Sequence, residues 1–206
     1  MEPLTLALPK GRLFDQVQEF FGLRGLKFGF NDRKLTALDE SGLIKIILVK
    51  NSDLPTYVNH GIAGLGVCGD DVLYESGWEF TRLRSFDFGG TTLSLAAQVG
   101  YQPQANQGPM TIATKFTRFT RDFFHQQGIP VKIIKLDGSV ELAPILGLAP
   151  YIVDLVETGS TLKANGLEVI DKLKPIQVQM IANPAYYKLH YNRIHDLIQL
   201  LEGVHQ

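Results

Sequence analysis

Between residues 43 and 49 the chain reads LIKIILV, an apolar and largely β-branched run interrupted only by Lys45. A strand with one wet face alternates apolar and polar residues. A near-continuous run belongs to a strand covered on both faces, as in a parallel sheet between helices. The pattern recurs at 4–8, 64–68, 110–113, 131–136, 152–156 and 177–181. Helical spacing often follows such a run, as with Leu13, Val17, Phe20 and Phe21 after the first. Strands alternating with helices make an α/β fold with mostly parallel sheets.

Local chemistry adds further elements. Asp53 and Pro55 start a short helix, since proline is tolerated in a first turn. Helices are expected from about 70 to 75, over 117–127, over 139–146 with Ser139 as cap, over 161–165, and as one long helix over 184–201. Residues 80–84 and 93–99 read as two strands separated by a turn at the glycines of DFGGTT. The polar stretch 100–110, rich in Gly, Pro and Gln, reads as a surface loop between strands. This order of elements predicts two lobes, one of residues 1–87 with 178–206 returning to it, the other an insertion of residues 88–177.

Composition narrows the ligand chemistry. The 206 residues carry a formal net charge of −1, which argues against a broad nucleic-acid footprint. An anionic ligand must therefore be met by a few local bases, backbone amides or a metal ion. The single cysteine, Cys68, excludes an internal disulfide and fits a reducing compartment. The N-terminus, with an acid at Glu2 and a short apolar stretch, does not read as a signal peptide, and no run approaches the ~20 apolar residues of a membrane helix. The expectation is a cytoplasmic protein with no membrane or nucleic-acid partner.

Three stretches invite a chemical reading. Gly64-Leu65-Gly66-Val67-Cys68-Gly69 matches the dinucleotide pattern G-x-G-x-x-G, but its apolar residues form the strand itself, so a glycine-containing strand ending at a turn is the better reading. Asp70 and Asp71 then open a helix where ligands sit in open α/β sheets. In LPKGRLF, residues 8–14, Lys10-Gly11-Arg12 opens a helix at the end of a strand. Two cations there oppose the helix dipole, a misfit that favours anion binding over stability.

The third stretch is IVDLVETGSTLKANGL, residues 152–167. A strand delivers Asp154; Gly159 permits positive φ; Thr158, Ser160 and Thr161 offer hydroxyls beside consecutive amides. Helix capping accounts for the same residues. Acids beside a phosphate nest would repel it unless Asp154 and Glu157 hold a ribose diol or a Mg²⁺ ion, which points to a phosphorylated sugar. The five histidines lack metal-ligand spacing, and no P-loop or nucleophile-elbow motif is present.

Together LALPKGRLF, DLPTYVNHGIAGLGVCGDDVL, KLDGSVELAPILGLA and IVDLVETGSTLKANGL closely resemble the ATP phosphoribosyltransferase catalytic subunit, in order and across nearly the whole chain. Its length resembles the short form, which acts with a separate histidyl-tRNA-synthetase-like regulatory subunit as a homodimer within a larger hetero-oligomer. The resemblance implies two α/β lobes around a central cleft, akin to type II periplasmic binding proteins. It implies transfer of 5-phosphoribosyl from PRPP to N1 of ATP's adenine, with inversion, loss of pyrophosphate and use of Mg²⁺, as the first step of histidine biosynthesis. The ribose 5-phosphate would sit on Asp154, Glu157, Thr158, Gly159, Ser160, Thr161 and Leu162, with Glu141 beside it. Lys10, Arg12, Arg33 and Lys50 would stabilise the leaving pyrophosphate, and Lys10, Gly11, Arg12, Asp70 and Asp71 would meet ATP. Mg²⁺ would be carried on substrate phosphates. The chain departs from the family where an Arg is common at Lys50, a second base at Ser52, and Cys and Arg at Thr91 and Thr92.

Two other readings compete. A type I phosphoribosyltransferase also ends its phosphate loop in T-G-x-T, but after two adjacent acids, whereas Leu155 follows Asp154 here. A non-catalytic solute-binding module of the same two-lobed fold would be expected to carry a secretion signal.

Overall fold

A computed structural model describes residues 2–30, 34–103 and 108–203. Arg33 and residues 104–107 of the expected surface loop lie outside the described residues. The chain divides into two compact units, Met1–Gly89 with Gln177–Gln206, and Gly90–Ile176.

In the first unit β1 (Leu4–Pro9) lies between β3 (Ile44–Val49) and β4 (Leu65–Gly69), parallel to both. A short strand, β2 (Thr36–Leu38), pairs antiparallel with the outer edge of β3. The C-terminal part of β9 (Leu167–Ala182) pairs antiparallel with β4, from Leu65↔Ala182 to Gly69↔Val178. Helices α1 (Arg12–Gly22), α2 (Leu54–Asn59) and α3 (Asp70–Ser76) each follow a strand. Leu4, Leu6, Leu8, Ile44, Ile46 and Met180 of the sheet meet Val17 and Phe21 of α1 in one core. The other face packs Ala7, Cys68 and Ile181 on Leu54 and Val58 of α2. Covering on both faces is why LIKIILV needs no polar alternation.

The second unit has the same logic. The C-terminal part of β5 (Thr81–Gln98) pairs antiparallel with β8 (Tyr151–Val156), from Thr92↔Val156 to Ala97↔Tyr151. Next to β8 runs β6 (Met110–Thr114), parallel to it and to β7 (Val131–Lys135). Around these lie α4 (Thr117–Gln126), α5 (Leu142–Ile145) and α6 (Ser160–Ala164), with Ala113, Ile152, Ala143 and Leu162 sharing a core.

Four expectations are corrected. The glycines of DFGGTT make no turn: β5 is one strand of 18 residues, and Gly89 at φ 69° lets it pass close to Val178. The strand expected at 177–181 begins ten residues earlier, at Leu167. The C-terminal helix is two, α7 (Pro184–Leu189), capped by Asn183 through the amides of Ala185 and Tyr186, and α8 (Tyr191–Glu202). Ser139 caps nothing: it sits at φ 48°, and α5 starts only at Leu142.

Candidate active-site elements at the strand ends

The carboxyl ends of the parallel strands in the first unit gather the N-terminal candidates. The pairing of Pro9 with Val49 continues one step further, because the Lys10 amide donates to the Val49 carbonyl at 3.1 Å. Lys10 and Lys50 therefore leave adjacent strands at the same level, both exposed. Gly11, at φ 91° with open space where a side chain would stand, turns the chain into α1, which begins at Arg12. The first turn of α1 has no side-chain cap. A helix start without a side-chain cap and flanked by cations is a setting for an anion. On the other side of β1, β4 ends at Gly69; Asp70 is held by Arg82 at 2.5 Å, and Asp71 is buried.

The second unit gathers the others. β8 delivers Asp154 with its side chain 22% exposed. Burial raises its pKa above the ordinary carboxylate value. Lys115 and the Leu155 amide oppose that rise, and the like charge of Glu141 adds to it. Glu141 immediately precedes α5, so the DGSVE turn, strained at Ser139, brings a second acid toward Asp154. After β8, Glu157 and Thr158 are exposed and Gly159 takes a left-handed φ of 75°. The Ser160 amide lies 3.4 Å from Thr158 Oγ1, and Thr158 Oγ1 lies 3.1 Å from Ser160 Oγ, so the hydroxyls point into one turn. Leu162 is buried and anchors α6 to the core beneath.

Sequence reasoning missed Lys115. It follows β6 directly, and its Nζ lies 3.7 Å from Asp154 Oδ1. The signal was available: β6 runs parallel to β8, and applying the strand-end rule to "IATK" as to "ALPK" points to it. Among the described residues no group of three His, Cys, Asp or Glu side chains is placed to hold a metal ion.

The HisG family profile, described as ATP phosphoribosyltransferase, matches residues 50–203. An ATP phosphoribosyltransferase of Thermoanaerobacter sp. (strain X514) is 41% identical, with 99% of this chain and 97% of that protein covered. One from Prochlorococcus marinus (strain MIT 9515) is 43% identical, with 97% of this chain and 98% of that protein covered. Among solved structures, the ATP phosphoribosyl transferase (HisG:HisZ) complex from Thermotoga maritima superposes with a TM-score of 0.84 at 34% identity, covering 97% of both chains. The alkanesulfonate-binding protein SsuA from Xanthomonas axonopodis superposes at 0.62 and 11% identity, covering 98% of this chain and 72% of that one, a likeness of fold alone. It supports the type II binding-protein architecture of two α/β lobes.

Proposed function

The chain belongs to the ATP phosphoribosyltransferase (HisG) family, and from that premise we propose how its residues share the reaction of ATP with PRPP, which yields N1-(5-phosphoribosyl)-ATP and pyrophosphate. The observation that supports the assignment most is the end of β8, where a half-buried carboxylate at Asp154 and a left-handed turn at Gly159 stand five residues apart. Asp154 and Glu157 accept hydrogen bonds from the ribose hydroxyls. The amides and hydroxyls from Thr158 to Thr161 receive the 5-phosphate, and Leu162 fixes the turn. Glu141, beside Asp154, is a further contact for PRPP.

The first unit supplies the cations. Lys10, Arg12 and Lys50 meet phosphate oxygens of the leaving pyrophosphate and of ATP, with Arg33 sharing that role from outside the described residues. Gly11 gives ATP close access to the backbone, and Asp70 and Asp71 border the nucleotide. The adenine N1 lone pair forms the new bond to the anomeric carbon from the face opposite the pyrophosphate, which departs with the electron pair of the broken C–O bond. The transition state resembles an oxocarbenium ion, so the protein contributes position and electrostatics, and no side chain need act as nucleophile. Mg²⁺, arriving on the substrate phosphates, would supply charge neutralisation of the leaving group.

The Thermotoga maritima relative was solved as a HisG:HisZ complex. By the same likeness this chain is a catalytic subunit that works as a homodimer with a separate HisZ-like regulatory subunit in the cytoplasm, in the first step of histidine biosynthesis. No helix of the described residues is long and apolar enough to cross a membrane.

The test is direct. The protein is incubated with ATP, PRPP and Mg²⁺, with and without a HisZ-like subunit, and phosphoribosyl-ATP is sought by its ultraviolet absorbance and mass. Product under either condition supports the assignment. Absence of product under both, with both substrates intact, overturns it.

A further inference from the structure

Lys115 is outside every role assigned above, yet three contacts fix it beside Asp154. The pairing Ile112↔Tyr151 and Ala113↔Ile152 between parallel strands, carried forward, sets Lys115 level with Asp154. Thr114, fully buried, donates its hydroxyl to the Val153 carbonyl at 2.6 Å and accepts from the Phe116 amide at 2.9 Å. The residues on both sides of Lys115 are thus tied to the residue before Asp154. The Lys115 ammonium also lies 4.8 Å from the centre of the Phe116 ring, a cation–π distance. Its Nζ stands 3.7 Å from Asp154 Oδ1, which is buried and has no hydrogen-bond partner. The ammonium therefore faces the closed side of the carboxylate, and the 22% of the side chain that is exposed lies away from Oδ1.

We propose that Lys115 is a positioning residue for PRPP: through the Thr114 clamp it stands against the buried Oδ1 and holds the Asp154 carboxylate ionised and aimed, with its accessible part turned out to accept a ribose hydroxyl. The charged groups facing Asp154 are Lys115 from the end of β6 and Glu141 from the turn before α5. Glu141 pushes Asp154 toward its neutral form, as burial does, and Lys115 is the cation set against both. A protonated Asp154 has a donor where the ribose needs an acceptor. The inference rests on the reading that Asp154 meets the ribose.

The experiment is the pH profile of kcat/KM for PRPP at saturating ATP, measured with Mg²⁺ and the HisZ-like subunit. It compares the unaltered protein with Lys115→Gln, Lys115→Met and Lys115→Arg. Position 115 is exposed, and thermal melts check that each variant folds. Without the cation, Asp154 holds its proton to higher pH, so the acid limb moves upward by about one pH unit in the Gln and Met variants, a roughly tenfold loss on that limb. KM for PRPP rises more than kcat falls, and Arg restores the limb. An unmoved limb in both neutral variants, or an equal loss at every pH, overturns the role of Lys115. Asp154→Asn is the separating control. If that variant keeps its PRPP affinity, the ribose assignment itself fails; if it loses affinity while the limb stays put, only the Lys115 inference fails.

Discussion

Tyr186 lies so close to Gly64 that a Cβ on the glycine would stand 2.1 Å from ring carbon Cε1. The Tyr186 hydroxyl accepts from the Thr5 amide at 3.1 Å, and Thr5 Oγ1 accepts from the Gly64 amide at 2.7 Å, so α7 is pinned against the start of β4. Gly64→Ala must push the ring aside or shift the strand, at about 1–3 kcal/mol by analogy with overpacked cores. A urea melt should show this as a lower midpoint. Pairing it with Tyr186→Ala should recover part of the loss, since the clash is then gone. Full additivity of the two losses would sink this account of Gly64.

That contact also explains why G-x-G-x-x-G misleads in this chain. Gly64 and Gly66 make room for Tyr186, Leu54 and Val58, and none of this concerns a phosphate. The alternation of buried strands and helices was legible because burial on two faces leaves no other pattern. The strand ends at Lys10 and Asp154 were legible for the same reason. The continuity of β5 was not, because Gly-Gly reads locally as a turn, and only the close approach of Val178 shows why a strand needs glycine at 89. Lys115 escaped because a lone lysine after a strand is usually solvated, and its neighbour Asp154 is remote in sequence.

Asp154→Asn should separate binding from stability. Removing a charged acceptor costs about 1.5–3 kcal/mol of hydrogen bonding, which predicts roughly a tenfold to hundredfold loss of PRPP affinity, read by isothermal titration calorimetry. Stability should move the other way. Because the folded-state pKa is raised, by burial first, the folded protein binds this proton more tightly than the unfolded chain. The contribution is therefore full below the unfolded value, about 3.9, and is lost as pH rises through the raised value. Above the raised value the charged Asp154 destabilises the fold, and Asn removes that cost. A melting temperature at pH 7 well below that of the unaltered protein would contradict this.

Ser139→Gly should stabilise the protein slightly. Among the described residues Ser139 is the one non-glycine with positive φ, at 48°, and its side chain caps no helix. Left-handed backbone costs an L-residue about 1–2 kcal/mol, while glycine gives back about 0.5–1 kcal/mol in unfolded-state entropy. The balance is a gain of about 0.5–1 kcal/mol, measured by the denaturation midpoint. If the turn is strained to bring Glu141 toward Asp154, the gain should come with a higher KM for PRPP. A variant less stable than the parent would mean that Ser139 holds its turn by something other than tolerance of strain.

Cys68 should be inert until the protein unfolds. It is fully buried in β4, and burial, with Asp71 and Asp70 nearby, pushes its thiol well above the ordinary range. The reactive species is the thiolate, so a thiol reagent at pH 8 meets neither access nor charge. Labelling by a chromogenic disulfide should follow the rate of global opening and should accelerate with urea along the same curve as loss of secondary structure. Cys68→Ala should lower stability by about 1–2 kcal/mol through the lost packing while leaving turnover within about twofold. Rapid labelling of the native protein would show that β4 opens locally, and with it the strand end that leads into Asp70 and Asp71.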